Sequence, residues 1–144
     1  PGDRAVSGAE LLALARRARE NAYAPYSGFA VGAALLGADG RVYTGCNVEN
    51  AAYPVACCAE RTALFHAVAE GAREFTAIAV AGGRVGDNAE ASCPPCGVCR
   101  QALAEFCDLE TFRVYLAAPG GGVEETTLGA LLPRAFARAN LDKS

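Results

Sequence analysis

An α/β fold with a mixed sheet, opening on an antiparallel hairpin and continuing with parallel pairing, follows from three features of this chain. Phe29, Val31, Ala33 and Leu35 alternate with small residues, and Val42, Thr44 and Cys46 alternate again after Ala38-Asp39-Gly40. Asp-Gly tolerates positive φ, so the two runs form a hairpin. Beyond it, helical and strand-like apolar segments take turns, which pairs strands in parallel and places helices on the sheet faces. Finally, the chain has 144 residues, 52% of them hydrophobic and 20% charged. That is one domain, 1–144, able to build a full core and too apolar for intrinsic disorder.

The elements are justified in order. Ser7-Gly8-Ala9-Glu10 is a capping box, and Leu11, Leu12, Ala15 and Ala18 then share one helical face, so a helix is expected from there until Pro25 stops it. The hairpin follows. Asn47-Val48-Glu49-Asn50 is a polar patch at a strand end, where chains cap, turn or bind. Residues 58–70 read as a helix with Ala63, Leu64, Ala67 and Val68 on one face and Gly71 at its C-cap. Phe75 to Val80 is a buried strand and 82–92 a loop. A helix over 98–106 begins just after Pro94-Pro95. Phe112 to Leu116 is a strand, Gly120 to Gly122 a turn, and a last helix is expected within 128–137.

Charge and hydropathy exclude several roles. The net charge is −3, from 13 basic and 16 acidic residues with no basic block. Binding to a nucleic acid backbone or an anionic membrane is therefore not expected. The longest nearly unbroken apolar stretch, Phe29 to Leu36, is far short of the roughly 20 residues of a membrane span. The start lacks the pattern of a signal peptide, so a cytoplasmic location is expected.

The seven cysteines are Cys46, Cys57, Cys58, Cys93, Cys96, Cys99 and Cys107. An odd, uneven set in a chain of this size argues against a secreted disulfide scaffold. Cys46 and Cys107 read as small buried hydrophobes. Cys96-Gly97-Val98-Cys99 sits where a loop becomes a helix, and helix N-termini favour thiolates, the form that binds metal. Cys57-Cys58-Ala59-Glu60 also opens a helix and offers a third thiolate with a carboxylate nearby. Three thiolates and one open position describe a catalytic zinc site. Zinc lowers the pKa of a bound water, and a carboxylate two residues from a ligand can reach that water without being a ligand.

The halves Cys58-Ala59-Glu60 and Pro95-Cys96-Gly97-Val98-Cys99 match the signature of zinc-dependent deaminases. Together with Phe29-Ala30-Val31-Gly32-Ala33-Ala34-Leu35, Cys46-Asn47-Val48-Glu49-Asn50-Ala51, Tyr53-Pro54, Arg61-Thr62-Ala63, Arg100-Gln101 and Leu131-Leu132-Pro133 with Phe136, the chain resembles the small, homotetrameric class of cytidine deaminase over roughly 8 to 141. The resemblance implies a three-layer α-β-α sandwich with a mixed sheet of about five strands. It implies hydrolytic deamination of cytidine and 2′-deoxycytidine in pyrimidine salvage, with one Zn2+ per chain. Cys58, Cys96 and Cys99 would be the ligands and Glu60 the proton carrier. Arg61 would hydrogen-bond the ligand sulfurs, which matters because three thiolates leave zinc with a formal negative charge.

Asn47 and Glu49 resemble the pair that holds the ribose hydroxyls, and Phe29 resembles a pocket aromatic on the base. The backbone near Ala59 would read the base edge, and Phe136 resembles an aromatic that reaches a neighbouring subunit's pocket. Spacing to Glu60 selects Cys58 over Cys57, which on a helix would point about 100° away. His66 lies about 12 Å along the helix from Cys58, too far to share a metal with it. Competing readings are a closed structural site of Cys57, Cys58, Cys96 and Cys99, a thiol redox protein, and a relative acting on the nucleoside blasticidin S.

Overall fold

Alternation along the strands divides the core into two layers on either side of a single sheet. In the computed structural model, which describes residues 6–87 and 90–141, Leu11, Leu12 and Ala15 pack on Ala34, Ala77, Ala79, Ala81 and Ala117. The other face buries Ala33, Leu35, Ile78, Val80, Val114 and Leu116 against Ala63, Leu64, Ala67, Leu103, Ala104 and Leu128. Successive strand residues point to opposite faces, so odd and even positions of one strand serve different layers. The result is the expected three-layer α-β-α sandwich. The ends of the 1–144 span, and positions 88 and 89 of the expected 82–92 loop, lie outside the described residues.

Helix α1 (Gly8–Arg19) begins on the expected capping box, with the Ser7 side chain accepting from Glu10 and Glu10 accepting from the Ser7 N–H. It stops at Arg19 rather than near Pro25. The Arg19 guanidinium donates to the carbonyls of Ala30 and Arg84, and the chain then runs extended so that Tyr23 N–H donates to Asn47 and Tyr23 accepts from Glu49 N–H. Those bonds to the strand ends replace another helical turn.

The strands are β1 (Phe29–Gly37), β2 (Val42–Cys46), β3 (Phe75–Arg84), β4 (Arg113–Ala117) and β5 (Val123–Thr127), in the order β2-β1-β3-β4-β5. The hairpin β1–β2 is antiparallel as expected, with Gly32 opposite Cys46. Among these five strands only β3 and β4 pair in parallel; β1–β3 and β4–β5 are antiparallel. Strand β3 continues four residues beyond Val80 into the expected loop, because Ala81 to Arg84 pair with Phe29 to Gly32.

Strand β5 was not visible in the residue pattern. It is a polar edge, Val-Glu-Glu-Thr-Thr, with no buried residue and therefore no apolar signature.

Helix α2 (Ala59–Ala69) and helix α3 (Gly97–Ala104) lie on one face, with Cys58 and Cys96 as their N-caps. Helix α4 (Leu128–Leu131) is a single turn at the start of the 128–137 stretch in which a short last helix is expected. Pro133 has no N–H to continue it, and Arg134 takes a positive φ of 54° that turns the chain away.

Two glycines set the helix-to-sheet distances that bring the site together. A Cβ at Gly32 would strike the backbone of Ala15 and Arg19 in α1, and one at Gly45 would strike Ala63 N and the Thr62 hydroxyl in α2. With no side chain there, α2 lies directly on the end of β2. Thr62 fixes it by donating to the Cys46 carbonyl at 2.8 Å.

Candidate active site

The thiols of Cys58, Cys96 and Cys99 lie within 4.8 Å of one another, the one such group of potential metal ligands among the described residues. Cys58 and Cys96 sulfurs are 3.7 Å apart, and Cys96 and Cys99 sulfurs 3.4 Å. Thiolates about 2.3 Å from a tetrahedral zinc stand roughly 3.8 Å from one another. Two of the three separations are close to that spacing and the third lies within 4.8 Å, so the donor set suits zinc. Their placement follows from the helix starts: two are N-caps and the third lies in the first turn of α3. The exposed N–H groups and positive dipole end there favour the ionised sulfur.

Within the cluster the electrostatics favour the thiolate at Cys58. Hydrogen bonds from Cys99, Arg61 and Cys96 outweigh burial and bring the Cys58 thiol down to about 5. Cys99 moves the other way, because it supplies the proton that Cys58 shares. Arg61 Nη2 donates to Cys58 Sγ at 3.7 Å, and the neighbouring sulfurs hold the guanidinium firmly in its charged form. The buried Arg61 Nε has no hydrogen-bond partner among the described residues.

Cys57 is outside the cluster. It lies before α2, where its N–H and C=O pair with Val48, and burial raises its thiol. The four-thiolate alternative therefore lacks its fourth ligand. His66 is also remote, turned toward the Thr44 carbonyl and edge-on to Tyr43. Cys107 is buried as expected, and burial pushes its thiol up to about 12; Cys46 is only half-buried.

A cleft of about 330 Å3 opens over the cluster, lined by Phe29, Asn47, Cys58, Ala59, Glu60 and Cys96, with Ser27, Val31, Cys93 and Pro94 completing its wall. Among the described residues Glu60 is the one polar residue that is buried, 4% exposed. Burial raises its carboxyl to about 7. A carboxyl balanced near neutrality can both accept and return a proton.

Asn47 spends its amide on β1: Oδ1 accepts from Val31 N–H and Nδ2 donates to the Phe29 carbonyl, each at 2.9 Å. One amide N–H remains for a ligand, and the same bonds hold Phe29 at the cleft wall.

Glu49 faces an adjoining cleft of about 350 Å3 with Tyr26, Ser27, Asn50, Tyr53 and Ala56. Its carboxylate accepts from the N–H groups of Tyr26 and Ser27 and from the Ser27 hydroxyl, which hold it below the usual glutamate range. Ser27 joins the two clefts. Phe136 lines neither; it is 61% exposed on the C-terminal segment.

Sequence reasoning did not assign Ser27, Val31, Cys93 or Pro94 to the site. Cys93, three residues before Cys96, carried a signal in its spacing, and it now stands beside the Gly82 backbone and Phe29. The others carry no chemical mark.

The family model for the cytidine and deoxycytidylate deaminase zinc-binding region matches residues 7–116. A cytidine deaminase of Sporosarcina psychrophila is 52% identical over 132 residues, covering 92% of this chain and 93% of its own. A crystal structure of cytidine deaminase from Burkholderia pseudomallei superposes with a TM-score of 0.80 at 50% identity, covering 90% of this chain and 99% of that one. One from Bacillus anthracis, at 18% identity and a TM-score of 0.73, shares the fold. By the extent of that match and the identity of those relatives, the chain belongs to the cytidine and deoxycytidylate deaminase family.

Proposed function

We propose that this protein hydrolyses the 4-amino group of cytidine and 2′-deoxycytidine, giving uridine and 2′-deoxyuridine with release of ammonia, using one zinc ion per chain held by Cys58, Cys96 and Cys99. The observation that carries the reading is Glu60. It is a buried carboxyl raised to about 7, and it shares a cleft with two of three clustered thiols. Zinc, when bound, supplies a water acidic enough to attack at neutral pH.

Glu60 takes a proton from the attacking water and delivers it to ring N3, which makes C4 electrophilic. The water oxygen bonds to C4, and Glu60 then takes the second proton from that new hydroxyl and passes it to the 4-amino group, so that the C4–N bond breaks, the C4 carbonyl forms and ammonia leaves. Each transfer needs a group that gains and loses a proton easily near pH 7, and burial makes Glu60 such a group. Phe29 lies against the base, and the backbone at Ala59 reads the base edge. The free N–H of Asn47 and the remaining lone pairs of Glu49 hold the ribose hydroxyls. Arg61 offsets the negative charge of three thiolates.

The whole span 1–144 acts as one catalytic domain. Two aromatics stand exposed, Tyr53 at the Glu49 cleft (71%) and Phe136 on the C-terminal segment (61%). They support a homotetramer in which Phe136 reaches a neighbour's base pocket. The role is pyrimidine salvage, and seven unpaired cysteines are in keeping with the reducing cytoplasm.

The test is the ultraviolet absorbance change as cytidine becomes uridine, run on wild type and Glu60→Gln with bound zinc measured on both. The expected result is turnover with about one zinc per chain in wild type. The variant should lose roughly 10²- to 10⁴-fold in rate while keeping its zinc. Zinc-loaded wild type that leaves cytidine unchanged would overturn the reading.

A further inference from the structure

We propose that Arg100 and Gln101 are positioning residues that tie the metal-ligating turn of α3 to the C-terminal segment, so that one helix governs both the thiol cluster and the presentation of Phe136. The second half rests on the reading of Phe136 given above.

Arg100 lies one residue past Cys99 and bridges two carbonyls. Its Nε donates to Pro95 and its Nη1 to Leu131, each at 2.6 Å. Pro95 is fully buried and immediately precedes Cys96. The guanidinium therefore fixes the peptide that leads into a ligand and joins it to the last residue of α4. Only a planar fork with several donors spans two carbonyls in this way; a lysine ammonium reaches one of them comfortably.

The next residue continues the connection. Gln101 Nε2 donates to the Phe136 carbonyl at 2.7 Å. Between the anchored carbonyls of Leu131 and Phe136 lie Pro133 and Arg134, the latter at φ 54°. A non-glycine residue persists in that region when its surroundings hold it there. The segment belongs to no regular helix or strand. Bonds to α3 therefore supply what a helix would otherwise provide. Phe136, mostly exposed, is held from its backbone while its ring remains free to meet a ligand or a second copy of the chain. Holding it beforehand lowers the entropy lost when it binds.

Arg100→Ala, Arg100→Lys, Gln101→Glu and the isosteric Gln101→Met test this on the zinc-loaded protein, with zinc transfer to a chromophoric chelator and cytidine kinetics as readouts. Arg100→Ala should release zinc about tenfold faster, with Arg100→Lys between it and wild type. Both Gln101 variants should raise KM about fivefold with kcat and zinc release unchanged. In a Phe136→Ala background they should change KM no further, since the two residues act through one contact.

Zinc release from Arg100→Ala at the wild-type rate would overturn the first half. An unchanged KM, or a KM effect that persists without Phe136, would overturn the second. Wild type inactive on cytidine would overturn the deaminase reading and the second half with it, while the zinc-release comparison still decides the first.

Discussion

Arg61 answers a charge problem at the scale of a single residue. Three thiolates outweigh a divalent cation, and the guanidinium donates to Cys58 while its buried Nε finds no acceptor among the described residues. Its position serves its charge better than its hydrogen bonding. Arg61→Ala should therefore weaken zinc binding roughly 10- to 100-fold in chelator competition and slow turnover. Unchanged affinity and turnover would mean the charge is borne elsewhere.

Glu49 offers a second residue-level test. Ser27 holds its carboxylate through hydroxyl and N–H, so its folded value lies below the usual glutamate range. A depressed carboxyl contributes stability above its unfolded value and loses it as pH falls through the folded one. Ser27→Ala should raise the Glu49 value, as read by carboxyl-carbon NMR titration, and move that acid loss to higher pH. The clustered cysteines were legible in the sequence because a helix start compresses them into short spacings. Ser27 was not, since a serine before a strand has no mark of the carboxylate it will meet.

At the scale of elements, the fold depends on how closely helices approach the sheet. The face under α1 is nearly all alanine, and Gly32 and Gly45 admit helical backbone where any Cβ would collide. Gly45 is the more consequential for the candidate site, because α2 rests there and carries Glu60 just after its N-cap Cys58. Gly45→Ala should cost about 1–3 kcal/mol as overpacking, lowering Tm by roughly 3–10 °C in a calorimetric scan. It should also loosen zinc by lifting the start of α2. A stable, zinc-tight variant would show that α2 can shift without disturbing the cluster.

The capping box of α1, the Asp-Gly hairpin and the buried β3 were readable because each has a local chemical or periodic signature. The pairing of β3 with β1 was not, because register is a tertiary choice between two apolar edges. Strand β5 escaped for a related reason. A polar edge strand resembles a loop.

For the molecule as a whole, the question is whether metal carries the fold or only the site. Cys58, Cys96 and Cys99 join the starts of α2 and α3, but Ala63, Leu64, Leu103 and Ala104 already share one buried cluster farther along the same helices. The α1 layer is packed independently of the cysteines. A domain of this length buries about two-thirds of its unfolded surface, which suffices for folding without a staple. Zinc bound to the native state still adds stability by mass action, about 4 kcal/mol when free metal exceeds its Kd a thousandfold.

Exhaustive chelation should therefore abolish activity and lower Tm by roughly 10 °C while leaving the far-ultraviolet circular dichroism of a folded α/β protein. Restored zinc should recover both. Loss of the dichroism on chelation would place the metal among the determinants of the fold, as in small zinc domains that are unfolded without it. Retention would mean that the two hydrophobic layers hold the helix starts in place and that the thiol cluster is prepared before the ion arrives.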